Sequence, residues 1–239
     1  MTSNDQFLPE LTAEALVTLA AVSGVPPAPL VLSQLGFADA SEIEPRWILE
    51  VVDRGARTLK SLQDFTPSNP QWSEMLRQSI LGMGNSRGFI ILIRSDQQEV
   101  RVVYLGEEHV IDAVTPYGNH RLCVSKNAVE EELGLFFGDC PDSDKYMINC
   151  HLERFGSGAT AAVGEDPVVS RLASETAVDH MATVCRTSEV VFEILKWRSV
   201  DNQLFVVSNQ DNQVSFRSSG SREGIETVLS AIQRIQQGQ

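Results

Sequence analysis

Two cysteines and a histidine are the reactive side chains that lie closest together in the sequence. Cys140, Cys150 and His151 are of the types that bind zinc through thiolate and imidazole groups. A structural zinc site needs four such ligands, usually in tighter pairs, and the remaining histidines His109, His120 and His180 form no recognisable set with them. We therefore predict no metal site. A thiol or serine nucleophile activated by a base from elsewhere in the fold stays open.

An acidic loop also carries part of a metal-binding pattern. Asp139, Asp142 and Asp144 lie close enough in sequence to hold a cation together. The loop lacks the sixth-position glycine and the terminal glutamate of an EF-hand. We expect a solvated loop there.

Two glycine-rich segments invite a catalytic interpretation and do not support it. The segment Gly82–Gly88 ends a predicted helix and opens a predicted strand, whereas a phosphate loop follows a strand and opens a helix. Gly156-Ser157-Gly158 lacks the five-residue pattern of a nucleophile elbow. We expect the first segment to be a structural turn and the second to be part of a linker. The sequence therefore predicts no catalytic residues, no cofactor and no enzymatic activity.

Aromatic residues provide the candidates for binding. Trp197 and Phe192 share a predicted strand with Lys196 and Arg198, as in a nucleic-acid stacking platform. The net charge of −13 would repel a phosphate backbone, so we expect sheet packing and no nucleic-acid partner.

A second aromatic group favours a protein partner. Tyr117 lies in a predicted turn, and Phe136 and Phe137 lie at the end of a predicted helix, where complete burial is difficult. All three are candidates for a protein-binding patch, and packing in a small satellite core is the equal alternative.

The elements that must position these residues are organised around a strand pair. Phe89–Ile93 is a continuous apolar run typical of a strand buried on both faces, residues 95–99 form a polar turn, and Val100–Leu105 is the returning strand. Further strands are predicted at 109–114, 121–124, 146–152, 189–198, 204–208 and 214–217. Helices are predicted from the Thr12 cap to Gly24, from Ser41 to near Gly55, from Asn69 to Gly84, over 127–137, from Asp166 to about Val184, and from about 225 to 237, with a short helical turn at 30–35.

The order of these elements repeats. Residues 69–137 and residues 166–237 each contain a helix, a strand meander and a helix. We predict an α+β fold in which two pseudo-symmetric halves share or stack a central, mainly antiparallel sheet. The predicted domains are a helical region at 1–66, a first half at 67–153, a flexible linker at 154–165 and a second half at 166–239.

Composition and cysteine content indicate where in the cell the protein is found. The chain has 239 residues, a pI near 4.7 and four cysteines without a CxxC pair, which is typical of free thiols in a reducing compartment. The apolar runs are too short to span a bilayer, and no signal peptide is evident at the N-terminus. We expect a cytoplasmic protein that does not insert into membranes and that could form a homodimer.

With this layout in place, the chain resembles the EspG family of type VII secretion chaperones. The residues concerned are the helical region ending near Gly55-Ala56-Arg57, the step from Asn69–Ile80 into the 89–105 hairpin, and the C-terminal run EVVFEILKWRSVDNQLFVV followed by VSFR and a closing helix. The resemblance covers residues 10–237. It implies a cytosolic protein that binds the helical tip of PPE-type secretion substrates and keeps them soluble before export. The alternative is a small-molecule sensor or signalling domain.

Overall fold

The computed structural model describes residues 7–37, 44–61, 70–142, 147–151, 167–187, 192–210 and 213–237, except for the side chains at 45, 70–72 and 151. Within these ranges there are seven helices and nine strands. The helices are α1 (Ala13–Ser23), α2 (Pro29–Gln34), α3 (Pro45–Ser61), α4 (Pro70–Gly84), α5 (Ala128–Phe137), α6 (Pro167–Leu172) and α7 (Ser221–Gln237). The strands are β1 (Gly88–Arg94), β2 (Val100–Leu105), β3 (His109–Val114), β4 (His120–Ser125), β5 (Met147–His151), β6 (Val178–Arg186), β7 (Phe192–Val200), β8 (Gln203–Gln210) and β9 (Gln213–Ser219).

The nine described strands form one sheet in the order β4-β3-β2-β1-β6-β7-β8-β9-β5. Its ladders β2–β3, β3–β4, β7–β8, β8–β9 and β5–β9 are antiparallel. Strands β1–β4 are consecutive in this order, and so are strands β6–β9. The prediction of an α+β fold with two meanders in a central antiparallel sheet is therefore confirmed.

Two compact units divide the described residues. Unit 1 falls within Met1–Ile90, Glu99–Val129 and Cys185–Val190, and unit 2 within Ile91–Gln98, Glu130–Val184 and Val191–Gln239. The predicted linker at 154–165 lies outside the described residues, and the predicted domain limits stay a prediction. In the described part of the chain, none of the helices has the length and apolar character that crossing a membrane requires.

Helix α3 corrects one predicted boundary. The sequence predicted a helix from Ser41 to near Gly55, but α3 begins at Pro45 and continues through Gly55 to Ser61. Ser41 lies outside the described residues. A glycine ends a helix when it adopts the left-handed conformation, as Gly24 does after α1 with φ of 70°. Gly55 does not have a positive φ, so the helix continues past it.

The predicted helix from Asp166 to about Val184 is wrong. Helix α6 ends at Leu172, and strand β6 begins at Val178; Asp166 itself lies outside the described residues. In β6 the buried residues His180, Ala182 and Val184 alternate with more exposed ones. This period of two belongs to a strand with one face in a core.

In unit 1, the segment at 8–11 covers the outer edge of β4. The Leu8 N–H donates to the Leu122 carbonyl at 2.8 Å, and Leu11 and His120 exchange backbone hydrogen bonds at 2.9 and 2.8 Å. An open strand edge would offer unpaired backbone groups to other chains, and this segment occupies them.

In unit 2, the two faces of the sheet carry different layers. On one face, Phe205, Val214 and Phe216 pack with Val169 and Leu172 in one apolar cluster, which brings α6 onto that face. Arg198 of β7 has Phe205 as its register partner and therefore shares the face of this cluster. Trp197 is the neighbour of Arg198 along the strand, so Trp197 lies on the opposite face. Gly224 of α7 lies against the Phe137 ring.

Candidate protein-binding surface

Helix α3 crosses helix α1 at very short range because residue 55 has no side chain. A Cβ at Gly55 would lie 2.1 Å from Thr18 Oγ1 and 2.2 Å from the Glu14 carbonyl oxygen. The Thr18 hydroxyl donates to the Glu14 carbonyl at 2.8 Å and lies 3.3 Å from the Val52 carbonyl. This crossing fixes the position of the middle of α3 against α1.

The first turn of α3 carries three consecutive apolar side chains that other described residues leave exposed. Trp47, Ile48 and Leu49 are 43%, 39% and 71% exposed. Trp47 precedes the buried Val51 by one helical turn and so continues the same stripe. The apolar stripe of α3 therefore extends beyond the surface that covers it.

A cleft of about 280 Å³ opens beside this turn, and we call it the α1–α3 cleft. Its lining residues come from α1, from α3 and from the segment after α2: Glu14, Leu35, Phe37, Trp47, Glu50, Val51 and Arg54. Pockets that enclose small molecules usually have volumes of about 300–1,000 Å³. The α1–α3 cleft lies at the lower limit of that range and has room for a few side chains of a partner.

The charges of the α1–α3 cleft are not balanced. Arg54 forms an ion pair with Glu50 at 3.7 Å across one helical turn. Glu14 forms no ion pair with any cation that the structure describes. It lies in the first turn of α1, where the positive end of the helix dipole favours a carboxylate. One carboxylate therefore remains without a counterion in a mostly apolar cleft.

A chain of hydrogen bonds from a buried pair holds the end of α2, next to the segment that forms one wall of the α1–α3 cleft. His120 Nδ1 lies 2.8 Å from Asp112 Oδ2, and His120 Nε2 lies 2.8 Å from Gln34 Oε1. Asp112 and His120 are fully buried, whereas Gln34 is exposed. Gln34 is the last residue of α2 and directly precedes Leu35, so this hydrogen bond positions the cleft wall.

Of the three aromatic candidates for the protein-binding patch, only Tyr117 is at the surface. It is 91% exposed in a turn closed by the Gly118 N–H donating to the Thr115 carbonyl at 2.9 Å. Phe136 and Phe137 are 4% and 2% exposed, so their burial supports the alternative of core packing. The participation of these residues in protein binding stays a prediction.

Phe136 and Phe137 pack around a buried histidine in unit 2. The Phe136 ring meets the His180 ring edge-on at 5.2 Å, and the Phe137 ring meets the Trp197 ring edge-on at 4.9 Å. His180 Nδ1 donates to the Phe136 carbonyl at 2.9 Å, and His180 Nε2 lies 2.8 Å from the Ser199 hydroxyl. Burial, assisted by the positive charge of Arg94, lowers the pKa of His180 to about 4. The ring is therefore neutral near pH 7, and this cluster is a core.

The proposed stacking platform is divided between the two faces of β7. Trp197 is buried, whereas Phe192 and Lys196 are exposed. Arg198 donates to the Leu172 carbonyl at 2.5 Å and pairs with Asp179. Phe192, Lys196 and Arg198 share one face of β7 and Trp197 lies on the other, so the two aromatic side chains do not form one continuous surface.

Two of the cysteines, Cys140 and Cys150, make local contacts through their thiols. The Cys140 thiol donates to the Phe137 carbonyl at 3.6 Å, and the Cys150 thiol donates to the Val214 carbonyl at 3.7 Å. Burial raises the pKa of the Cys140 thiol. Among described residues, no group of three or more His, Cys, Asp or Glu side chains could hold a metal ion. Asp144 and the His151 side chain lie outside that set.

Sequence reasoning missed the α1–α3 cleft. It predicted a helix over this segment and no binding site on it. The available signal was the run Trp47-Ile48-Leu49, because three consecutive residues span too wide an arc to face one core.

Comparison with known proteins supports the fold. No protein-family model and no curated protein sequence matches the chain. Among solved structures, the chain is similar to EspG5, a chaperone of the Mycobacterium tuberculosis type VII secretion system that was solved in complex with a PE25–PPE41 dimer. The similarity covers 93% of this chain and 95% of that chain, with a TM-score of 0.51 and 10% sequence identity. At this identity the likeness is one of fold alone.

Proposed function

We propose that this protein is a non-catalytic chaperone or adaptor that binds a helical secretion substrate of the PE–PPE type and shields it before export. The observation that carries the proposal is the exposed apolar first turn of α3 beside the α1–α3 cleft. The fold likeness to EspG5, whose structure contains a PE–PPE dimer, supports this choice of partner.

The proposed mechanism is shielding by burial. Apolar side chains of the substrate enter the α1–α3 cleft, and Trp47 packs over them. A large aromatic at the centre of an interface commonly contributes much of the binding energy. A standard interface buries about 1,600 Å² in total, which is enough to hide an apolar helix tip from solvent.

We place this activity in the cytoplasm. Cys123, Cys140, Cys150 and Cys185 form no disulfide bonds in the structure, as is typical of a protein kept in reducing conditions. The exposed Trp47 and the cleft's volume, at the lower limit for small-molecule pockets, favour partner side chains over the alternative of a small-molecule sensor.

The test is co-expression with the PE–PPE heterodimers encoded in the same genome, followed by size-exclusion chromatography with light scattering. We expect one heterodimer to elute with the chain as a stoichiometric complex and to lose solubility without it. Trp47→Ala should abolish the complex, while Val22→Ala, which trims an exposed apolar residue of α1 outside the cleft, should preserve it. Failure of every heterodimer to bind, or an intact complex with Trp47→Ala, would overturn the proposal.

A further inference from the structure

We infer that the α1–α3 cleft receives a basic amphipathic helix, with a lysine or arginine of the partner pairing with Glu14 and an apolar residue packing against Trp47. This inference rests on the proposed function and specifies the chemistry of the partner at that site.

Charge complementarity identifies the partner as basic. Arg54 pairs with Glu50, and none of the cations that the structure describes forms an ion pair with Glu14. The chain as a whole has a net charge of −13, which attracts a cationic segment and repels an acidic one. A partner cation would supply the counterion that Glu14 lacks.

The apolar residues that line the cleft indicate that the partner segment is an amphipathic helix. Leu35, Phe37, Trp47 and Val51 line the same cleft as Glu14, so its occupant must present apolar and basic groups together. On a helix, residues three or four apart lie on one face about 5–6 Å from each other. A helix with an apolar stripe flanked by lysine or arginine meets both requirements, as in helix-in-groove recognition.

Trp47 is arranged to pack against such a helix. The Arg46 guanidinium lies 5.8 Å from the centre of the Trp47 ring and is paired with Glu44 at 2.7 Å. The cation that accompanies Trp47 is thus already neutralised. Arg46 adds apolar cover to the indole without leaving a net positive charge that would repel a basic partner.

The experiment measures fluorescence anisotropy with two labelled synthetic helices of about 20 residues, long enough to fold on binding. One carries leucines at i, i+3, i+4 and i+7 with lysines on the flanks, and the other has glutamate in place of every lysine. We expect the lysine helix to bind, more weakly as salt is raised, and the glutamate helix not to bind.

Matched variants locate the contact. Glu14→Gln should weaken binding of the lysine helix about tenfold. Glu107→Gln, which removes the same charge from the exposed turn between β2 and β3, should weaken it less than twofold. Circular dichroism confirms that both variants keep the fold.

The outcomes distinguish the proposed function from the inference of a basic partner. Equal effects of Glu14→Gln and Glu107→Gln would overturn the inference. If Trp47→Ala abolishes binding of the PE–PPE heterodimer while Glu14→Gln has no effect on it, the proposed function stands and the basic partner is wrong. If the chain alone is a dimer that Trp47→Ala dissociates, a second copy covers the cleft and the inference is also wrong.

Discussion

Gly55 of α3 lies against Thr18 of α1 so closely that a Cβ at residue 55 would be 2.1 Å from Thr18 Oγ1. The Glu14 carbonyl oxygen would be 2.2 Å away, and a backbone atom cannot rotate aside as a side chain can. We predict that Gly55→Ala lowers the free energy of unfolding by about 3 kcal/mol, the upper end of the usual cost of overpacking. Urea denaturation measures the change.

Gly134 provides the control for this prediction. It lies inside α5, and a Cβ there would have no heavy atom within 4 Å. Gly134→Ala should raise the free energy of unfolding by about 0.5–1 kcal/mol, because alanine loses less backbone entropy in a helix. Similar effects of the two substitutions would contradict the close crossing of α1 and α3.

The pair formed by Asp112 and His120 gives a second stability prediction. Both side chains are fully buried, and Asp112 Oδ1 has no hydrogen-bond partner among the described atoms. Burial raises the pKa of the Asp112 carboxyl, and the hydrogen bond with His120 opposes that shift. His120→Leu leaves the carboxyl group without its remaining side-chain partner and should lower the free energy of unfolding by about 3–5 kcal/mol.

A double variant distinguishes the cost of the unpaired carboxyl group from the cost of altered packing. Replacing both residues by leucine removes the stranded carboxyl group as well. We expect Asp112→Leu/His120→Leu to be more stable than His120→Leu alone in the same urea titration. A double variant that is the less stable of the two would show that the loss comes from packing and not from the unpaired group.

Local patterns predicted most of the fold. The Thr12 side chain accepts from the Ala15 N–H at 3.3 Å as an N-cap, and Gly24 ends α1 in the left-handed conformation. The run at 89–93 became β1, and Asp201 and Asn202, with φ of 49° and 62°, form the two-residue turn between β7 and β8. These features depend on neighbouring residues alone.

The remainder depends on contacts that are distant in sequence. The sequence predicts a helix end near Gly55 because nothing local shows that Thr18 lies against it. The burial of Phe136 requires His180 and Trp197, and β6 was mistaken for a helix continuing from α6. The α1–α3 cleft joins residues of three elements, so spacing alone could not reveal it.

The buried His180 predicts how stability depends on pH. Its pKa is lowered from 6.5 to about 4, mainly by burial and then by Arg94, while Asp96 and Asp179 act in the opposite direction. As pH falls below 6.5 the unfolded chain takes up the proton first, so the free energy of unfolding should decline by about 3 kcal/mol by pH 4.

A comparison with His180→Asn isolates this contribution from the carboxylates that titrate in the same range. Urea titrations from pH 7 to pH 4 should give a shallower loss for the variant, whatever its absolute stability. The His180 ring resonances in NMR should remain those of the neutral form down to about pH 4. Parallel stability curves for the two proteins, or a ring that titrates near 6.5, would contradict the prediction.

Gln34 connects the buried pair to the proposed binding surface and gives the last prediction. Its amide oxygen contacts His120 Nε2 at 2.8 Å and so holds the end of α2 next to Leu35. Gln34→Ala should lower the free energy of unfolding by only about 1 kcal/mol, the usual value of one hydrogen bond. It should nevertheless weaken binding of the basic helix several-fold, because the cleft wall loses its anchor.

Ser33 is the matched control for Gln34. It is exposed on the same helix and donates only to the Leu30 carbonyl of its own turn, at 2.8 Å. Ser33→Ala should leave the affinity for the lysine helix unchanged. Hydrogen exchange should be faster at the amides of Leu35 and Phe37 in Gln34→Ala and unchanged in Ser33→Ala, because only the first substitution releases the wall. Equal affinities and equal exchange in both variants would mean that His120 does not position this surface.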